Sequence, residues 1–145
     1  MGKKLNKLLM VMCCAFVFIG FFGQSVYAST GTIVSVSNIN LGSSGSGVQA
    51  SGSVEAVVRN YTYTLDIPSS KSKLTTSYVQ SNIKKSVKNY VTTLAHGRIS
   101  GMTCTSVSKS STYCTVTFVV NTVGVQNDLY YYPYGWCTLK LKFYY

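Results

Sequence analysis

Acidic side chains are almost missing from this chain. Glu55, Asp66 and Asp128 are its only carboxylate residues, against thirteen Lys and Arg in 145 positions. No paired-carboxylate motif can be drawn from them. There is one histidine, His96, and it precedes Cys104, Cys114 and Cys137 without any metal-ligand spacing, so neither a zinc site nor another metal centre is expected. A nucleophile elbow, an HExxH pair and a phosphate-cradling glycine loop are all absent, and no cofactor is implied. Past residue 28 no apolar run is long enough to hold the chain in a membrane.

What is present begins with a leader. Lys3, Lys4 and Lys7 precede an apolar run from Leu8 to Phe22, and SVYA places Val26 and Ala28 where a signal peptidase reads small residues. The run is about 15 residues, short of the roughly 20 that span a bilayer as a helix. Residues 1–28 therefore read as a secretory signal cleaved after Ala28, and 29–145 as a single exported domain. Without the leader, ten Lys and Arg face three acids, a net charge near +7. Such a surplus favours anionic surroundings: teichoic-acid walls of bacteria, anionic lipid, acidic polysaccharide or nucleic acid.

The rest of the chain divides by period. Residues 32–41 alternate as a strand, and GSSGSG (42–47) is a short loop. Val48, Ala50, Val54, Ala56 and Val58 share one parity, while Tyr61, Tyr63, Leu65 and Ile67 share the other. Read as strands, the two runs need a hairpin or a bulge at Arg59-Asn60, with the hairpin preferred. Ser77 and Gln80 then form a capping box, and Val79, Ile83, Val87, Val91 and Leu94 follow at helical spacing. These predict a helix from Tyr78 to Ala95, with Lys84, Lys85 and Lys88 on its outer face. Residues 99–107 and 112–123 read as a hairpin around SKSS.

The last sixteen residues, YYYPYGWCTLKLKFYY, hold eight aromatics. From Cys137 they alternate: Cys137, Leu139, Leu141, Phe143 and Tyr145 on one side, Thr138, Lys140, Lys142 and Tyr144 on the other. That is the pattern of a half-buried antiparallel strand with a wet lysine face. Tyr130, Tyr131, Tyr132, Tyr134 and Trp136 do not alternate around Pro133 and Gly135, and read as a loop whose rings suit sugar or protein contact. The fold expected from these pieces is α+β: an antiparallel sheet of five or six strands with one amphipathic helix packed on one face.

Three cysteines outside the leader cannot all pair in one chain. A hairpin centred near Lys109 would set Cys104 opposite Cys114. A bridge between them would be worth about 3 kcal/mol, with Cys137 the odd thiol, an alternative partner, or the link in a disulfide-bonded dimer. Catalysis is the lesser expectation. Glu55, Arg59 and His96 could supply a base, a guanidinium and an acid for metal-free RNA cleavage, and the composition resembles small basic exported microbial ribonucleases in residue types alone. The leading expectation is a small secreted cationic binding module. Lys84, Lys85, Lys88 and the aromatics from Tyr130 to Trp136 would engage an anionic or glycan-rich surface or a protein partner. The alternatives are an antibacterial protein acting on membranes and a surface-assembly subunit.

Overall fold

A computed structural model describes residues 26–42, 50–88, 98–123, 126–127, 130–131 and 135–145. Most of the leader, the GSSGSG loop beyond Gly42, His96, Tyr132 and Tyr134 lie outside these residues.

The chain is broadly α+β, built on a curled six-stranded antiparallel sheet. In chain order the elements are β1 (Tyr27–Leu41), α1 (Ala50–Arg59), β2 (Tyr61–Ile67), a 3-10 turn (Lys71–Lys73), α2 (Thr76–Asn82) and β3 (Ile83–Val87). There follow β4 (Arg98–Lys109), β5 (Tyr113–Val123), the two-residue strands β6 (Gln126–Asn127) and β7 (Tyr130–Tyr131), and β8 (Gly135–Tyr144). The sheet order is β3-β2-β1-β8-β5-β4, and β6 pairs with β7 apart from it. The last long strand therefore lies in the middle, between the first strand and the β4–β5 hairpin.

β1 serves two neighbours in succession. Its residues 27–31 pair with β2, and from Thr32 onward it pairs with β8. Gly31 sits at the handover, where an added Cβ would come within 2.7 Å of the Phe143 ring. The missing side chain lets that ring pack against the strand. Further along, the register with β8 shifts between Ser37 and Asn40, and Asn38 there takes φ 53°. Asparagine is among the few side chains that accept this left-handed conformation readily.

Alternation along the strands fills the core. Tyr63, Leu65 and Ile67 of β2, Cys114, Val116, Phe118 and Val120 of β5, and Cys137, Leu139, Leu141 and Phe143 of β8 all point inward and are buried. Val54 and Val58 of α1, Leu74, and Val79 of α2 belong to the same cluster. The expected inner face of the terminal strand is the observed one, except that Tyr145 stays 37% exposed beyond the strand end.

Two elements differ from expectation. The run 50–59 is helical, not a strand. Val54 and Val58 are two turns of a strand apart and also one turn of a helix apart, so a short apolar run fits both periods. Val57, buried beside Val58, satisfies only the helix. The parity change at Arg59-Asn60 is accordingly a helix-to-strand junction. There the Asn60 amide donates to Ala56 O (3.1 Å), and the Tyr63 hydroxyl donates to Val58 O (3.0 Å).

The helix expected from Tyr78 to Ala95 instead ends at Asn82, and Ile83–Val87 forms β3 against β2. Residues 89–97 lie outside the described residues. Ile83, Lys85 and Val87 alternate as well as they repeat helically, and the open edge of β2 offers Ile83–Val87 a ladder of hydrogen bonds. Pairing in the tertiary structure overrides local period here. The cap is also displaced. Thr75, not Ser77, caps α2, accepting from the Tyr78 amide at 3.2 Å.

Gln80 is thereby free for another task. Its amide nitrogen donates to Met102 O (2.7 Å), and its oxygen accepts from the Cys104 amide (2.7 Å). These two bonds imitate a strand's ladder on the outer edge of β4. Lys85 adds a third link by donating to Ile99 O at 3.3 Å. The two sheet edges thus approach each other through side chains, which protects β4 from pairing with another chain.

Candidate functional site

Outward side chains of β1, β8, β5 and β4 form an ordered polar face. Residues paired across an antiparallel ladder share a face, so the register places them in rows. One row reads Ser108, Thr115, Lys142, Thr32, and the next Ser106, Thr117, Lys140, Ser35. A third reads Thr103, Val119, Thr138, Ser37, and a fourth has Asn121, Trp136 and Asn40. Each lysine therefore stands between hydroxyl residues on both adjacent strands.

Aromatic rings bound this face at its two ends. At one end Tyr113 and Tyr144 meet edge to face with centroids 6.0 Å apart, and the Lys142 ammonium lies 4.5 Å above the Tyr113 ring. At the other stands Trp136, the sole tryptophan, 38% exposed. Trp136 lies in β8, not in the loop that the sequence suggested. Tyr130 and Tyr131 fall in β7, while Tyr132 and Tyr134 are outside the described residues.

Among the described residues, no Asp or Glu side chain lies on this face. Glu55 is on α1, where its Oε1 pairs with Arg59 Nε at 2.7 Å, and Asp66 on β2 pairs with Lys84 at 3.2 Å. Lys140 is exposed and Lys142 half-buried. Lys142 rests over the Tyr113 ring while Lys140 reaches into solvent, and neither stands out in the sequence because a lysine on an alternating strand ordinarily signals only solvent. The signal that could have found them is their coincidence with the acid-poor composition.

The expected binding lysines are placed differently. They lie on or just past a strand, not on one helical face, so Lys84 and Lys85 point to opposite sides of β3. Lys84 is held by Asp66, while Lys85 rests 5.5 Å over the Tyr61 ring and reaches Ile99 O. Burial lowers the Lys85 pKa from its ordinary value. Lys88 is exposed just past the strand, its amide donating to Asn60 O at 2.7 Å. A second basic and aromatic group lies at the hairpin end. Lys71 sits 4.2 Å over the Tyr145 ring and donates to Ser111 O, and Lys109 donates to Ser72 O at 3.5 Å. These contacts tie the 3-10 turn to the β4–β5 turn.

Glu55 and Arg59 do come together, one helical turn apart on α1, not on a strand. Each occupies the other, and His96 is outside the described residues. Among the described residues, no group of His, Cys, Asp and Glu could hold a metal ion, and no helix is long and apolar enough to cross a membrane.

Cys104, Cys114 and Cys137, the cysteines among the described residues, are free and buried. Cys104 lies opposite Phe118, not Cys114, because the hairpin turns at Ser110–Thr112 and sets Cys114 against Lys109. The expected Cys104–Cys114 bridge is thus out of register. Cys104 faces Phe118, four positions along β5 from Cys114, which puts the two Cα atoms roughly 14 Å apart, when a bridge requires under about 7 Å. Burial pushes the Cys104 and Cys137 thiols up to about 11, and raises Cys114 as well.

Two results should follow. Alkylation mapped by peptide should leave all three thiols unmodified in the folded protein at neutral pH and label them in denaturant. Since the folded thiols bind their protons more tightly than the unfolded ones, their contribution to stability should be fully present below about pH 8.5 and be lost as pH rises towards 11. Native labelling as fast as that of a free thiol would contradict this burial.

No known protein family, curated protein or solved structure shows significant similarity to this chain.

Proposed function

We propose that this protein is a small exported cationic module that binds an anionic or glycan-rich surface polymer of the cell wall. The observation that carries the reading is the outer face of β1, β8, β5 and β4, which holds no acid among the described residues, the outward Asp66 of the neighbouring β2 being paired with Lys84. On it Lys140 and Lys142 stand among hydroxyls, with Trp136 at one end and the Tyr113–Tyr144 pair at the other. In this reading the helix α1 covers the opposite, apolar face of the sheet, leaving the polar face to the ligand. The net surplus of Lys and Arg adds a long-range attraction that falls with salt. Export is supported by the leader. Tyr27 and Ala28 are exposed at the very start of β1, so cleavage after Ala28 would remove only a strand tip.

The lysines assigned to binding are Lys140 and Lys142 in place of Lys84, which is paired with Asp66, and Lys85, which is bonded to Ile99 O. Co-sedimentation of the protein with purified cell wall provides the test. K140Q/K142Q is expected to weaken binding by about tenfold at low salt, while K84Q changes it by less than about twofold. Trp136→Ala should weaken it by roughly threefold through lost ring contact. Binding that survives K140Q/K142Q unchanged would sink the reading.

A further inference from the structure

We infer that the polymer recognised by this face is a poly(alditol phosphate), a phosphodiester chain with short polyol bridges, lying along β8. This rests on the cationic-module reading and adds the identity and direction of the ligand.

The first argument is spacing. Lys140 and Lys142 are two residues apart on one face of a strand, which sets their stems about 7 Å apart. Two residues of polypeptide contain six backbone bonds. A phosphate joined to a three-carbon polyol also repeats every six bonds, so both chains, when extended, advance by about 7 Å per repeat. Successive phosphates can therefore meet successive lysines without either chain bending. In inorganic polyphosphate the charges follow every second bond, and in a uronate polysaccharide at least a whole sugar ring separates them. Polyphosphate therefore meets successive lysines only with every third phosphate and leaves the charges between them unmatched, while the uronate interval is set by a rigid ring and not by six backbone bonds.

The second argument is the donor set. A phosphodiester presents two anionic oxygens that only accept hydrogen bonds. Lys142 is flanked across the ladder by Thr115 and Thr32, and Lys140 by Thr117 and Ser35. Each lysine stem stands between two hydroxyl residues on strands about 4.8 Å away on either side, so that a phosphate drawing the Lys142 ammonium off the Tyr113 ring meets donors for both oxygens. The bridging polyol can hydrogen-bond the same hydroxyls, which both donate and accept.

Single-stranded nucleic acid shares the six-bond repeat, but its bases require aromatic platforms along the track. The rows of Lys142, Lys140 and Thr138 present hydroxyls, and the rings lie only beyond them at the two ends. A chain without bases fits this arrangement better.

Because Trp136 is the sole tryptophan, its fluorescence reports directly on the face. The full chain is titrated at one ionic strength with poly(glycerol phosphate), inorganic polyphosphate, hyaluronate and a single-stranded DNA oligomer, matched in charge concentration. Poly(glycerol phosphate) is expected to bind at least about fivefold more tightly than each of the others. The variant T117K/K142T keeps the net charge but sets the two lysines side by side across β5 and β8. It should lose about fivefold for poly(glycerol phosphate) and stay within about twofold for polyphosphate. If that variant does not fold, the polymer series on the unaltered chain decides alone. Equal affinity for all four polyanions would overturn the inference and leave the cationic module standing. Tighter binding of DNA would overturn it in favour of a nucleic acid. Binding of none would remove both readings.

Discussion

A chain that stops after Gly135 should not fold. β8 is the last long strand to be made, yet it occupies the middle of the sheet, pairing with β1 on one side and β5 on the other. Without it β1, β2 and β3 form one small sheet and β4 and β5 an isolated hairpin, an arrangement that is marginal in water. The strand also supplies Cys137, Leu139, Leu141 and Phe143, all fully buried. At about 1.5–3 kcal/mol per large apolar side chain, their loss approaches the whole of a typical domain's stability of about 5–15 kcal/mol. The truncated protein is expected to give no cooperative thermal transition by circular dichroism and no protected amides in hydrogen exchange. A melting curve like that of the full chain would show that the central position of β8 is mistaken.

Replacing Phe118 by Ala is expected to be the most damaging single substitution in the sheet. Phe118 lies at the middle of β5, opposite Leu139 on β8 and Cys104 on β4, and it is fully buried. Losing a buried ring costs about 3–5 kcal/mol, part from lost transfer energy and part from the cavity left behind. In a domain of this size that corresponds to a fall in Tm of about 10–25 °C. The adjacent residue provides the control. Thr117 faces outward, so Thr117→Ala should change stability by no more than about 0.5 kcal/mol. The contrast between the two neighbours tests the inward and outward assignment of every row on the polar face. Equal losses at both positions would mean that the assignment is wrong.

The alternation of β8 could be read directly, because each of its inward positions is apolar and each outward one polar between residues 137 and 144. The same holds for β2, and for β5 apart from the outward Val119 and the inward Thr122. Where period failed, it failed for identifiable reasons. Val54, Ala56 and Val58 satisfy a strand, and Val54, Val57 and Val58 a helix, so ten residues were too few to separate the two. In Ile83–Val87 the local pattern is equally compatible with a helix, and the choice fell to β2, which had an edge to be paired. Gln80 looked like part of a capping box because glutamine three residues after serine usually is. Its actual partners, Met102 O and Cys104 N, are more than twenty residues away and invisible to local reading.

The candidate site shows the same division. Outward lysines at 140 and 142 were evident, but their significance depends on Thr115, Thr117, Thr32 and Ser35, which come from strands distant in the chain. Only register brings those hydroxyls beside the ammonium groups. The same register separates Cys104 from Cys114, because moving the hairpin turn by two or three residues slides one strand past the other and carries the sulfurs apart.

By itself, then, the sequence determined the cationic surplus, the antiparallel β character and the buried faces of β2, β5 and β8, since charge and alternation are properties of neighbouring residues. The tertiary structure alone decided which segments became helix or strand at 50–59 and 83–87, where the thiols lie, and which side chains share the polar face. Those outcomes depend on pairing between strands far apart in the chain, and a local period carries no information about the partner.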